Sequence, residues 1–322
     1  MAMRCWRQRP NGKAGEATAG RMSDELEIND GMVRAVVRPA LGAGLVRFDW
    51  VHGGVLEPLF RPVPAGATPA VFDFASIVLL PWSNRVSGGG FEFEGRWHPL
   101  ASNVPGDPYP NHGNGFELAW QVARASATGV RLTVDSAGPG PYRYAATLDY
   151  AVAGGALTMA MAIENRGDSA LPFGLGFHPW LVRDPDTLLL APARAVWLED
   201  AGHLPAGDEP VPIPAGWAFD AASPLPAGFI NNAFEGWGGR ARVAWPARGL
   251  TLAIAAAAPL SRYILYSPAA SSGFFCFEPV SHPVDAYHLP GGPLHHGMVR
   301  LAPGEFLSGT VTFTARHLAT PR

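Results

Sequence analysis

Apolar and polar residues alternate along most of this chain. The pattern is clear in "VRLTV" (130–134), "YAATLDYAV" (144–152), "ALTMAMAIEN" (156–165) and "ARVAW" (241–245). It recurs in "LTLAIA" (250–255), "RYILYS" (262–267), "GFFCFEPV" (273–280) and "GTVTFTAR" (309–316). A period of two places every second side chain on one face, so each segment predicts a half-buried β-strand. Nowhere do apolar residues recur at i, i+3, i+4 and i+7 with caps, so helices should be few and short. The 38 glycines and 32 prolines are spread along the chain and break it into short segments. Strands returning every ~8–12 residues with turn signals between them predict an all-β sandwich or barrel. With so many strands and no linker-like shift in composition, the expectation is one large unit over 25–322 rather than two small ones.

Composition narrows the partners. Hydrophobic residues make up 48% and charged residues 16%, enough for a large core. A net charge of -3 gives no long-range attraction for nucleic acid or for anionic membranes. No segment approaches the ~20 apolar residues of a membrane helix. A small neutral molecule is the expected partner, and a homodimer is left open. Two cysteines, Cys5 and Cys276, make no disulfide framework, which points to the cytoplasm. Residues 1–24 are polar and basic without the apolar run of a secretory signal, and Glu16 interrupts any transit-peptide pattern. They are expected to form a flexible leader, with Met22 as an alternative start.

Four short stretches carry candidate chemistry. In "GFFCFEPVSHPVDAYH" (273–288), a strand would place Phe274, Cys276 and Glu278 on one face and Phe275 and Phe277 on the other. A carboxylate at the end of so apolar a strand must be paired, bonded or shifted toward neutrality. From this stretch alone Glu278 reads equally as a strand-end salt bridge or as a tuned acid–base group. In "GLGFHPWLV" (174–182), Pro179 and the flanking glycines hold His178 beside Phe177 and Trp180. It reads either as a packed core histidine or as an immobilised acid. "PWSNRVSGGG" (81–90) carries Asn84 and Arg85 into a glycine turn, and "NHGNGFELAW" (111–120) carries His112 in another. Arg85 offers five fixed donors to hydroxyls or a carboxylate, yet a strand-end surface arginine has the same local pattern.

Other chemistries lack their signals. There is no HExxH, cysteine pair or dense His/carboxylate spacing, and His295–His296 alone make a weak metal case. No GxSxG elbow, Walker loop or strand–GxGxxG–helix unit is present.

In order, "PWSNRV", "NHGNGFELAW", "GLGFHPW" and "FEPVSHPVDAYH" resemble the aldose 1-epimerase (galactose mutarotase) family over roughly residues 28–315. The resemblance implies a large antiparallel β-supersandwich, which agrees with the strand pattern. It implies that His178 is the acid that protonates the ring oxygen of a sugar and that Glu278 is the base at the anomeric hydroxyl. It implies that Arg85 and His112 bind hydroxyls and polarise the reacting centre, and that no metal or organic cofactor is needed. Acid and base would stand on opposite sides of the sugar. Ordinary pKa values of about 4.3 and 6.5 would already leave Glu ionised and His protonated.

One departure stands out. In "GFINNAFEGWGG" (228–239), Asn231 occupies the place of the family's aspartate, which keeps an acceptor but loses the charge. The implied function is interconversion of anomers of a monosaccharide. The alternatives are a sugar-binding protein without turnover, a lyase or hydrolase on a similar sandwich, and a hexose-6-phosphate epimerase using Arg96 or Arg183 as extra cations. Trp82, Trp180 and Trp237 are candidates for a sugar-stacking surface.

Overall fold

Where the alternation is strongest, the strands form as expected. Tyr144–Ala153 and Ala156–Asn165 pair along their whole length, Tyr144 opposite Asn165 and Ala153 opposite Ala156. Gly154 and Gly155 join them with φ of 57° and 79°, a two-residue turn open to glycine but strained for most side chains. The computed structural model describes residues 25–64 and 69–318; the predicted leader, with Cys5 and Met22, lies outside the described residues.

Two antiparallel sheets build the molecule. The ten-stranded sheet runs Leu26–Asn29, Val33–Arg38, Gly44–His52, Ser76–Leu79, Gly176–Val182, Phe274–Val280, Arg262–Ser267, Ile230–Glu235 and Ala195–Trp197, with Val55–Pro58 added beside Gly44–His52. The nine-stranded sheet runs Ser223–Pro224, Leu188–Leu190, Arg240–Trp245, Leu250–Ala256, Phe306–His317, Ala156–Asn165, Tyr144–Ala153, Gly129–Ser136 and Gln121–Ser126. Phe60 of the first layer meets Phe313 of the second edge to face at 5.0 Å. The Tyr150 hydroxyl donates to the Ala43 carbonyl at 2.8 Å, so that buried oxygen crosses the layers satisfied. This is the predicted all-β supersandwich.

Helix is confined, among the described residues, to the four-residue Gly292–His295 and three short 3₁₀ turns. No helix among them is long and apolar enough to cross a membrane.

Gly176–Val182 shows no alternation, and nearly all of it is buried. It lies mid-sheet between Ser76–Leu79 and Phe274–Val280. Both its faces are covered, so no polar side is left to mark it as a strand. Its inner face, with Phe177 and Leu181, joins the large core between the sheets. Its outer face joins a second cluster with Trp180, Ile264, Cys276 and Val280. The candidate site stands on that outer face.

Candidate functional site

Register brings the acid and base candidates together. Gly176 pairs with Val280 and Trp180 with Cys276, which sets His178 opposite Glu278 across neighbouring strands. His178 Nε2 lies 3.3 Å from Glu278 Oε1. The neighbouring row runs from Trp180 through Cys276 and Tyr266 to Asn231. Above these strands is a cavity of about 210 Å³ lined by Asn84, Arg85, Asn111, His112, His178, Trp180, His203, Phe229, Asn231, Tyr266 and Glu278. All seven sequence-predicted site residues therefore line one cavity.

Burial reverses the expected order of proton affinities. His178 is pushed down to about 3 by burial, with the Arg61 guanidinium adding to the effect. Burial pushes the Glu278 carboxyl well up, and the positive charge of Arg85 opposes this only in part. Burial thus favours the neutral form of each partner, a protonated Glu278 carboxyl and an uncharged His178 imidazole. That corrects the expectation that the two groups need no tuning. His178 Nδ1 and Glu278 Oε2 are buried with no hydrogen-bond partner among the described residues. Such unmet capacity costs about 1–3 kcal/mol per group and marks where a ligand would be bonded. The pair is also adjacent rather than split across a sugar. The anomeric and ring oxygens share one carbon, so adjacency suits them.

His112 is held as a neutral donor. Its Nδ1 accepts the backbone N–H of Asn84 at 3.0 Å, and the His112 backbone N–H donates to the Asn84 carbonyl at 3.0 Å. A ring that accepts at Nδ1 carries its proton on Nε2. Burial, with His178 and Arg85 nearby, keeps its pKa well below the ordinary range. Both residues of this lock sit at positive φ, Asn84 at 59° and His112 at 62°. Left-handed backbone at two non-glycine residues is strain of the kind found at functional sites.

Arg85 is aimed by a residue that sequence reasoning missed. Its Nε donates to Asp107 Oδ2 at 2.9 Å, and the same oxygen accepts from Asn111 Nδ2 at 3.2 Å. Asn111 Oδ1 is left buried and unbonded beside the cavity. The only hint of this was an Asp a few residues before the "NHGNG" turn.

At the other end, Asn231 Nδ2 donates to Glu199 Oε2 at 2.8 Å, and the same oxygen takes His203 Nδ1 at 2.7 Å. Glu199, His203 and Tyr266 carried no local signal, because only tertiary pairing brings them beside Asn231, while Phe229 precedes Asn231 by two residues and sequence reasoning missed it.

Several expectations need correction. Trp82 and Trp237 are buried in the core between the sheets and do not reach the cavity. Trp180 does line the cavity, but it is 5% exposed, stacks on His178 at 3.9 Å and carries the Arg61 guanidinium at 4.9 Å. Little of its face is free for a sugar, and it holds the His178 ring instead. Arg183 donates to the Ser267 hydroxyl and to the Leu225 and Pro226 carbonyls, pinning loops away from the cavity. Arg96 lies in a separate surface cleft with His98 and Arg143. The extra cations expected of a sugar-phosphate site are therefore not there. His282 packs, bonded to the Ser83 N–H and the Pro283 carbonyl, while Asp285 pairs with His288 at 2.7 Å.

Among the described residues one trio of metal-type donors comes together, His178, Cys276 and Glu278, within 4.8 Å of one another. Burial and the nearby Glu278 carboxylate push the Cys276 thiol well up, which opposes the thiolate a metal would need, while the Arg61 charge pulls the other way. The His295–His296 pair takes no part in it.

The sequence model of the aldose 1-epimerase family matches residues 24–314. The chain is 33% identical over 278 residues to YphB, an uncharacterized protein of Escherichia coli K12, covering 83% of this chain and 94% of that one. The crystal structure of a candidate aldose 1-epimerase from Escherichia coli K12 superposes with a TM-score of 0.83 at 29% identity, covering 91% of this chain and 99% of that one. A galactose mutarotase-like protein from Clostridium acetobutylicum shares the fold with a TM-score of 0.78 at 15% identity, over 90% of this chain and 94% of that one. With its matched span, its sandwich and its cavity taken together, this chain belongs to the aldose 1-epimerase family.

Proposed function

We propose that the protein interconverts the α and β anomers of a free aldose by acid–base ring opening and closure. The observation that carries this is the His178–Glu278 pair, 3.3 Å apart on the floor of a polar cavity with an unbonded buried atom on each partner.

The chemistry follows from one proton held by two groups. With a cyclic sugar bound, Glu278 takes the proton of the anomeric hydroxyl as the bond from C1 to the ring oxygen breaks. The ring oxygen keeps the electron pair and takes a proton from His178, and C1 becomes a carbonyl. Rotation about C1–C2 turns the other face of that carbonyl to the hydroxyl. Closure returns the protons, one to His178 from the attacking hydroxyl and one from Glu278 to the new anomeric oxygen. Nothing is consumed. Protonated Glu278 beside neutral His178, the distribution that burial favours, is the one that accompanies the open chain. The energy released by solvating the cyclic sugar's oxygens with Arg85 and the His112 Nε2–H offsets the reverse distribution. Phe229, 43% exposed at the rim, supplies the apolar surface for a sugar's C–H face that the tryptophans do not.

The test is NMR exchange spectroscopy on a panel of free and 6-phosphorylated aldoses, with wild type, Glu278→Gln and His178→Asn compared. Wild type should exchange free anomers faster than buffer, and either variant should lose about 10²–10⁴-fold, the usual worth of a positioned acid or base. Wild-type rates in Glu278→Gln would sink the proposal. Saturable binding without exchange in the wild type would make the protein a sugar binder on this fold.

A further inference from the structure

The far end of the cavity differs in chemistry from the acid–base end. The register that pairs Ala195 with Glu235 and Trp197 with Ala233, continued by two residues, sets Glu199 opposite Asn231. Asn231 stands two strand spacings across the sheet from Glu278 and two residues along it, a separation of about 12 Å at ordinary strand geometry. That span holds a pyranose ring with a hydrogen bond at each end.

An ionised carboxylate only accepts hydrogen bonds. Glu199 Oε2 touches both Asn231 Nδ2 at 2.8 Å and His203 Nδ1 at 2.7 Å, so both contacts are donors to it. One carboxylate therefore fixes an amide orientation and puts a proton on His203 Nδ1. What remains for the cavity is the Asn231 carbonyl oxygen, the second N–H of its amide and the far edge of the His203 ring. Sugar hydroxyls, which both accept and donate, match that mixed set. A phosphate placed there faces the Glu199 carboxylate. The one guanidinium that lines the cavity among the described residues, Arg85, follows the Ser76–Leu79 strand beyond His178 and is ion-paired with Asp107.

We propose that Glu199 is a positioning residue that holds Asn231 and His203 as a subsite for the distal hydroxyls of an unphosphorylated aldose, and so selects against sugar phosphates. This rests on the reading of the cavity as a sugar site.

The experiment compares wild type, Asn231→Asp, Glu199→Gln and the double variant. Glucose, galactose and their 6-phosphates are the probes. Affinity is read by saturation-transfer NMR, which needs no turnover, and KM and kcat by anomer exchange. Asn231→Asp sets two carboxylates within hydrogen-bonding distance and should weaken free-sugar binding about tenfold. The loss should fall on KM rather than on kcat. Adding Glu199→Gln restores one carboxylate and one amide with their places exchanged, and should recover most of that loss. Glu199→Gln alone should raise the affinity for 6-phosphates relative to free sugars. The proposal is overturned if Asn231→Asp binds like wild type, if the double variant is no better than Asn231→Asp, or if the phosphate preference does not move. Intact binding pattern without exchange in the wild type would overturn the activity and leave the subsite standing. Exchange without the pattern would do the reverse.

Discussion

On the inner face of the ten-stranded sheet, Phe277 stacks on Tyr263 at 4.5 Å and Tyr263 on Phe234 at 4.8 Å. On the same strands, the outer face carries Glu278, Tyr266 and Asn231. Inside, the polar atom of that stack is satisfied, the Tyr263 hydroxyl donating to the Ala191 carbonyl at 3.0 Å. Outside, His178, Glu278 and Asn111 each keep a buried atom unbonded. Along these strands one face is thus built for packing and the other holds unmet hydrogen-bonding groups around the cavity, although in the inner core Trp50 Nε1 and Trp82 Nε1 also lack a partner. Alternation makes the division possible, because a strand's two faces are chemically independent.

The comparison breaks if the two faces answer alike to substitution. Glu278→Gln should lower anomer exchange by about 10²–10⁴-fold and leave urea unfolding nearly unchanged or slightly improved, since a buried ionisable group is removed. Phe277→Ala should cost about 3–5 kcal/mol of unfolding free energy through the cavity it leaves. Equal losses of stability in both would refute the division. A smaller effect sharpens it: Asp107→Asn removes the charge that aims Arg85, and sugar affinity should fall about tenfold in titration with the fold intact.

A separate effect is on pH dependence. His178 and His282 are held down to about 3 and about 4 by burial, and His112 is lowered in the same direction. Their unfolded values lie near 6.5. Between about pH 6.5 and 4 the unfolded chain binds more protons, so the stability these neutral histidines allow is full above 6.5 and drains as pH falls. Each contributes a slope of up to about 1.4 kcal/mol per pH unit. Chemical denaturation across this range should show the slope, and His282→Gln should reduce it by one proton. An unchanged slope in that variant would show that His282 is not buried neutral.

Much of the fold is legible in the sequence because alternation and turn residues are local. The Gly154–Gly155 hairpin and the paired faces of Phe274–Val280 follow from neighbours a few positions apart. The strand Gly176–Val182 hides its period because both faces are covered. Of the site, the four motifs marked His178, Glu278, Arg85 and His112, with Asn84, Trp180 and Asn231 beside them. The sequence by itself thus determined the sandwich and the residue types of its chemistry. Tertiary structure alone decided which group holds the proton, which tryptophan reaches the cavity, and that Asp107 and Glu199 stand behind Arg85 and Asn231. Those depend on burial and on register between distant strands, and neither is a property of any short stretch of chain.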